Sequence, residues 1–169
     1  TTSIIGNGVA LNIPDLFKEI QGIVDRGVPM PKILVSDRAQ IVMPYHILFD
    51  QYEEERLAGA SFGSTKSGIA PFYSDKYAKI GFQVSELFMD DDRLKEKIKR
   101  VCDLKNVILE NLYHKPAIDE DELLNTLHEY RDMVAPYVSD VSAYLHDALL
   151  HNKRILLEGQ LGSLKDPDH

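Results

Sequence analysis

The sequence predicts an α/β fold, rich in helix, with a few short and parallel strands. Three observations carry that prediction. Apolar residues recur at helical spacing through most of the chain. Short apolar runs, among them Lys32-Ile33-Leu34-Val35 and Lys153-Arg154-Ile155-Leu156-Leu157-Glu158, interrupt that pattern and read as strands. Such runs alternate with helices, the order that builds a parallel sheet covered by helices.

The elements follow in order. Thr1 to Leu11 reads as an extended segment broken by a turn at Gly6-Asn7-Gly8. Asn12 can cap a helix with Pro14 and Asp15 in its first turn; Leu16, Ile20, Ile23 and Val24 share its apolar face and Gly27 closes it. Pro29 and Pro31 break the chain before the strand at 32–35. Ser36-Asp37-Arg38 is a polar turn, in which Arg38 offers a fork for two phosphate oxygens or an ion pair with Asp37 or a later acid. Ile41-Val42-Met43 is apolar. Pro44 can start a helix to about Leu57, with Ile47, Leu48 and Tyr52 inward and Asp50 with Glu53-Glu54-Glu55 on a solvated acidic face. His46 near its start is a structural histidine unless a partner is placed beside it.

The stretch Gly63 to Lys76 reads as a loop in which two glycines, Gly63 and Gly68, bracket Ser64, Thr65, Lys66 and Ser67. Backbone N–H groups and hydroxyls there can donate to phosphate oxygens. Between Gly63 and Gly81 there are three lysines and one aspartate, a net +2 within a chain of net charge −8. The alternative is an ordinary turn-rich surface loop. The order of residues is not that of a Walker A phosphate loop.

Beyond it, Gly81 to Phe88 alternates weakly and leads to a turn. Asp90-Asp91-Asp92 precedes a helix as cap and dipole partner; its spacing does not fit an EF-hand. A helix from Arg93 to about Tyr113 carries the stripe Leu94, Ile98, Val101, Cys102, Ile108, Leu109 and Leu112, with Lys95, Lys97, Lys99 and Arg100 on its wet side. Pro116 opens a second helix with Leu123, Leu127, Tyr130 and Val134 inward. After Pro136 a third runs from Val138 to about His151. His146 and His151 are five apart and do not share a face, which excludes a metal pair. Gly159 to Gly162 form a loop at the carboxyl end of the strand at 153–158, the edge where open α/β sheets bind ligands, making Gln160 and Ser163 polar candidates.

Composition bounds the function. The 169 residues fit one domain, 44% are hydrophobic and 27% charged. No apolar run reaches membrane-spanning length and no signal-peptide pattern opens the chain. One cysteine, Cys102, fits a cytoplasmic setting. The acidic balance argues against a general nucleic-acid surface.

Gly63-Ser64-Thr65-Lys66-Ser67-Gly68-Ile69-Ala70-Pro71-Phe72-Tyr73-Ser74-Asp75-Lys76 resembles the G-T-T-x-x-G-I-G-P-x-Y-x-D-K loop of adenylosuccinate synthetase. Ile5-Gly6-Asn7-Gly8-Val9 resembles that family's I-G-N-G-V. Ser36-Asp37-Arg38-Ala39 with Tyr45-His46 resembles its S-x-R-A…Y-H, and Glu158 to His169 its E-G-x-x-G-x-x-x-D-x-D-H run. The four stretches occur in the family's order along essentially the whole chain.

The resemblance implies a fold of the P-loop type and a cytoplasmic homodimer that joins IMP and L-aspartate with GTP and Mg2+ in AMP biosynthesis. It implies that Thr65 contacts the 5′-phosphate of IMP. It places Lys79 where a family arginine reaches IMP bound by the other subunit, keeping the charge without the bidentate fork. The family's IMP-contacting glutamine aligns with Leu161, with Gln160 just before it, so either the loop shifts by one residue or another group does that work. The family's G-D-E-G-K-G-K and G-H-T motifs, holding its catalytic aspartate, catalytic histidine and a magnesium contact, do not occur here. The expectation is therefore one incomplete domain over 1–169, helical from about 90 to 152, between strand-containing segments 1–88 and 153–169. It carries part of an IMP site, no catalytic residue and no metal ligand, and is inactive alone. The alternative is a non-catalytic helical dimerisation or interaction module.

Overall fold

The computed structural model describes residues 1–57 and 64–159. Strand β1 (Thr2–Ile5) and β3 (Lys32–Ser36) pair in parallel with Thr2 opposite Lys32 and Ile5 opposite Val35. The helix between them, α1 (Ile13–Val24), makes the unit a right-sized βαβ crossover. A short β5 (Val138–Ser139) extends the same sheet in the order β1-β3-β5, all parallel. A second pair, β2 (Ala10–Leu11) with β4 (Gln40–Ile41), is also parallel. The predicted α/β class and parallel strands are what the structure has.

Caps define the helices as their side chains dictate. The Asn12 side chain accepts from Asp15 N–H at the start of α1, and the chain leaves through Gly27 at φ +86°. Asp90 caps α4 (Asp91–Ile108) by accepting from Arg93 N–H, and Asp119 caps α5 (Glu120–Val134) by accepting from Glu122 N–H. The second helix therefore begins at Glu120 rather than at Pro116. The connector before it is held instead by the Asn106 side chain, which bonds both the N–H and the C=O of Ile118.

Between these lie α2 (Pro44–Leu57) and α3 (Ile69–Tyr77). The stretch to Lys76 is thus not all loop: Gly68 ends the loop and α3 takes up the rest. A 3-10 turn at Val84–Phe88 follows, and a π turn at Leu109–Tyr113 continues α4. Last comes α6 (Val141–Leu150), which packs beside β3. Val138 lies in β5, not in that helix.

The core gathers Leu11, Ile13, Val35, Met43, Leu94 and Leu127, from every layer. All four predicted inward residues of α5 are buried. Two predicted faces are corrected. In α2 the buried set is Tyr45, His46, Phe49 and Asp50, while Leu48 is exposed, because the helix turns toward α3 and α4 and supplies polar partners inside. Ile23 and Leu112, at the frayed ends of their stripes, are partly exposed. The run 153–159 forms no strand and is exposed throughout, with Leu156 94% accessible. A strand needs a ladder neighbour, and no described strand lies beside it. Among the described residues no helix is long and apolar enough to cross a membrane.

Candidate functional site

The loop that precedes α3 sits on α2, and the attachment is polar. Asp50, buried in α2, accepts from the Ser64 hydroxyl at 2.6 Å and from Gly68 N–H at 2.8 Å. The Ser64 hydroxyl in turn accepts from Lys66 N–H at 3.0 Å, and Ser64 N–H reaches Glu54 at 3.3 Å. Both ends of the five-residue segment 64–68 are therefore tied to one carboxylate.

Between the ties, Thr65, Lys66 and Ser67 are exposed. The Thr65 and Ser67 hydroxyls lie 2.6 Å apart. Lys66 holds a left-handed φ of +57°, uncommon outside glycine. Two adjacent exposed hydroxyls flanking a lysine in sequence are suited to oxygens of an anion.

Gly68 fixes how closely the loop approaches. Its φ is +79°, and an added Cβ would stand 2.8 Å from backbone atoms of His46 and Ile47. No side chain fits there, and the N–H that bonds Asp50 would be pushed out of place.

Beneath the loop lies a buried polar cluster. His46 Nδ1 accepts from Met43 N–H at 2.9 Å, so the neutral ring carries its proton on Nε2, which donates to Asp75 at 2.9 Å. The other Asp75 oxygen accepts from Lys105 Nζ at 2.5 Å. All three side chains are buried, and the lysine also faces the rings of Phe49 at 5.2 Å and Tyr45 at 5.7 Å.

Burial holds the His46 pKa below its ordinary 6.5, against the pull of Asp75. Burial pushes the Asp75 carboxyl up, but bonds from His46 and Lys105 outweigh it and leave it below the ordinary 3.8. With both ring nitrogens engaged, His46 has no atom free to act as a general base. It is structural, and its partner is Asp75. The cluster ties α2, α3 and α4 together. Sequence reasoning missed Asp75 and Lys105 because they lie 29 and 59 positions from His46 and on different helices.

Lys79 follows α3, at φ +61° and exposed. It borders a cavity of about 270 Å³ with Lys76, Gln40, Gln83 and Lys97. Lys97 is not on a wet face as predicted: it bonds Glu86 at 2.5 Å and Gly81 C=O at 2.7 Å. Gln40 Oε1 is buried with no hydrogen-bond partner among the described residues. The cavity lining carries three lysines against one acid, Glu86. A larger groove of about 630 Å³ runs along α1 and its C-terminal turn alone; a single helix gives it one wall and no convergent polar groups.

Thr65 and Lys79 thus sit at opposite ends of α3. The nine residues of α3 between them rise by roughly 13 Å. Arg38 is exposed and makes no ion pair among the described residues, so the predicted pairing with Asp37 is not formed. Its turn is set by the Ser36 hydroxyl, which donates to Asn7 at 2.5 Å and accepts from Arg38 N–H at 3.1 Å. Gln160 and Leu161 lie outside the described residues. Among the described residues no three His, Cys, Asp or Glu side chains come together as metal ligands. Burial pushes the Cys102 thiol up to about 11, where it is unreactive.

The family model described as adenylosuccinate synthetase matches residues 1–169. Adenylosuccinate synthetase of Limosilactobacillus fermentum is 38% identical over 168 residues, covering 99% of this chain and 39% of the relative. That of Lactobacillus delbrueckii subsp. bulgaricus is 40% identical over 166 residues, covering 98% and 38%. The structure of fully ligated adenylosuccinate synthetase from Plasmodium falciparum superposes with a TM-score of 0.77 at 27% identity, over 98% of this chain and 38% of that one. The chain spans a little over a third of the length of the proteins it matches.

Proposed function

The chain belongs to the adenylosuccinate synthetase family, and on that premise we propose that it serves as one part of a GTP-dependent ligase that joins IMP and L-aspartate into adenylosuccinate, in the cytoplasm. The observation that supports the reading is the pinned loop: Thr65 and Ser67 present paired hydroxyls, with Lys66 beside them, on a segment tied to Asp50. Thr65 is the group that bonds the 5′-phosphate of IMP. The loop grips a dianionic end and leaves the base and ribose to residues elsewhere.

Lys79 serves a different nucleotide. It stands at the position where the family resemblance puts a cation against IMP bound by the partner of a homodimer, at the far end of α3 from Thr65. Catalytic groups, magnesium ligands and the guanine-reading residues come from outside the described residues. His46, beneath the loop, has both ring nitrogens engaged and is sequestered.

An assay with IMP, GTP, aspartate and magnesium tests this. The 169-residue chain alone gives no turnover; turnover abolished by Thr65→Ala would contradict the division of labour. In the complete enzyme Thr65→Ala raises KM for IMP by roughly tenfold or more, the worth of one hydrogen bond to a charged group, and unchanged KM would remove Thr65 from the site. A solution mass of two subunits supports the role of Lys79, and a monomeric active enzyme excludes it.

A further inference from the structure

We infer that Asp50 is the positioning residue of the phosphate loop, acting on IMP through Ser64 and Gly68 without touching it. The inference rests on the reading of Thr65 given above. Asp50 is 7% exposed and makes no ion pair among the described residues. A buried carboxylate without a cation is costly and a poor choice for packing alone. What a carboxylate does that an apolar residue cannot is accept on both oxygens. Here one oxygen takes the Ser64 hydroxyl and the other Gly68 N–H.

The consequence is directional. Because Asp50 only accepts, the Ser64 proton must point at it, and the Ser64 lone pairs are left to accept from Lys66 N–H. That chain of bonds sets the turn at Lys66 and leaves Thr65 and Ser67 facing outward with their hydroxyls paired. The second oxygen holds Gly68, which no larger residue can replace at its distance from His46 and Ile47. The hydroxyls are therefore in place before a phosphate arrives, and the ordering cost of binding is reduced accordingly.

Steady-state kinetics of the complete enzyme test the inference, with Thr65→Ala as the reference for the site itself. Asp50→Ala raises KM for IMP by roughly tenfold or more, while kcat and KM for GTP and aspartate stay within about twofold. Asp50→Asn recovers only part of the affinity, since its carbonyl can accept from Gly68 N–H but its amide presents a donor where the Ser64 hydroxyl donates. If Asp50→Ala does not fold, Ser64→Ala removes one of the two ties from the exposed side and raises KM for IMP alone. An unchanged KM for IMP in these variants, where Thr65→Ala raises it, overturns the role of Asp50 and leaves the site standing. An unchanged KM in Thr65→Ala removes both. A parallel rise in all three KM values with a lowered melting temperature makes Asp50 a structural residue and overturns the inference.

Discussion

The interior beneath the loop and the segment 153–159 reverse the usual rule of burial. In the first, His46, Asp75, Lys105 and Asp50 are buried although all can carry charge. In the second, Ile155, Leu156 and Leu157 are exposed although all are apolar. The difference is partners. Each buried polar group meets a donor or acceptor from another part of the chain, whereas the apolar run meets no described strand beside it. Whether a residue goes inside depends on what the fold brings to it as much as on its own polarity.

Breaking the first region gives the largest effects. Lys105→Ala leaves Asp75 buried beside a neutral histidine and costs about 3–5 kcal/mol in urea unfolding; a cost under about 1 kcal/mol would mean that the ion pair contributes little. Gly68→Ala forces a Cβ against the His46 backbone at a φ unsuited to alanine, and costs about 1–3 kcal/mol. Wild-type stability in that variant would mean that the loop can rise off α2 freely.

Acidification works on the same cluster in two stages. Because the folded His46 pKa lies below 6.5, its contribution is whole above that pH and declines below it, as the unfolded chain takes up the proton first. Because the folded Asp75 pKa lies below 3.8, its contribution is present above that pH and is lost as pH falls through the folded value. Melting temperature therefore falls as pH drops from about 7 to 5, and His46→Gln flattens that part of the curve. A decline of equal slope in the variant assigns it to other groups. The smallest effect is expected in the second region, where Leu156→Ser changes stability by no more than about 0.5 kcal/mol. A larger loss would show that the segment is covered after all.

The sequence made the local features legible. Asn12 and Asp90 cap their helices because a short polar side chain before an apolar period has few other uses. The α5 stripe follows from spacing alone, and so does the parallel pairing of strands separated by a helix. Thr65 is reached through family motifs, and its hydroxyl lies beside that of Ser67. What stayed hidden was long-range. Asp50 looked like part of an acidic surface run with Glu53-Glu54-Glu55 because nothing local reveals that Ser64 and Gly68, 14 and 18 residues on, return to it. Lys97 reads as a solvated lysine and nothing local singles out Lys105, yet each bonds an acid from another element. Lys153 to Glu158 had the composition of a strand, and composition does not supply a neighbour.

The most direct test of the central claim is a calorimetric titration of IMP into the complete enzyme and into its Thr65→Ala variant. Saturable binding that weakens by roughly tenfold or more in the variant, with melting temperature unchanged, is the predicted result. Equal affinity in the two proteins would contradict it, and would leave the segment 64–68 as a well-anchored turn that holds no phosphate.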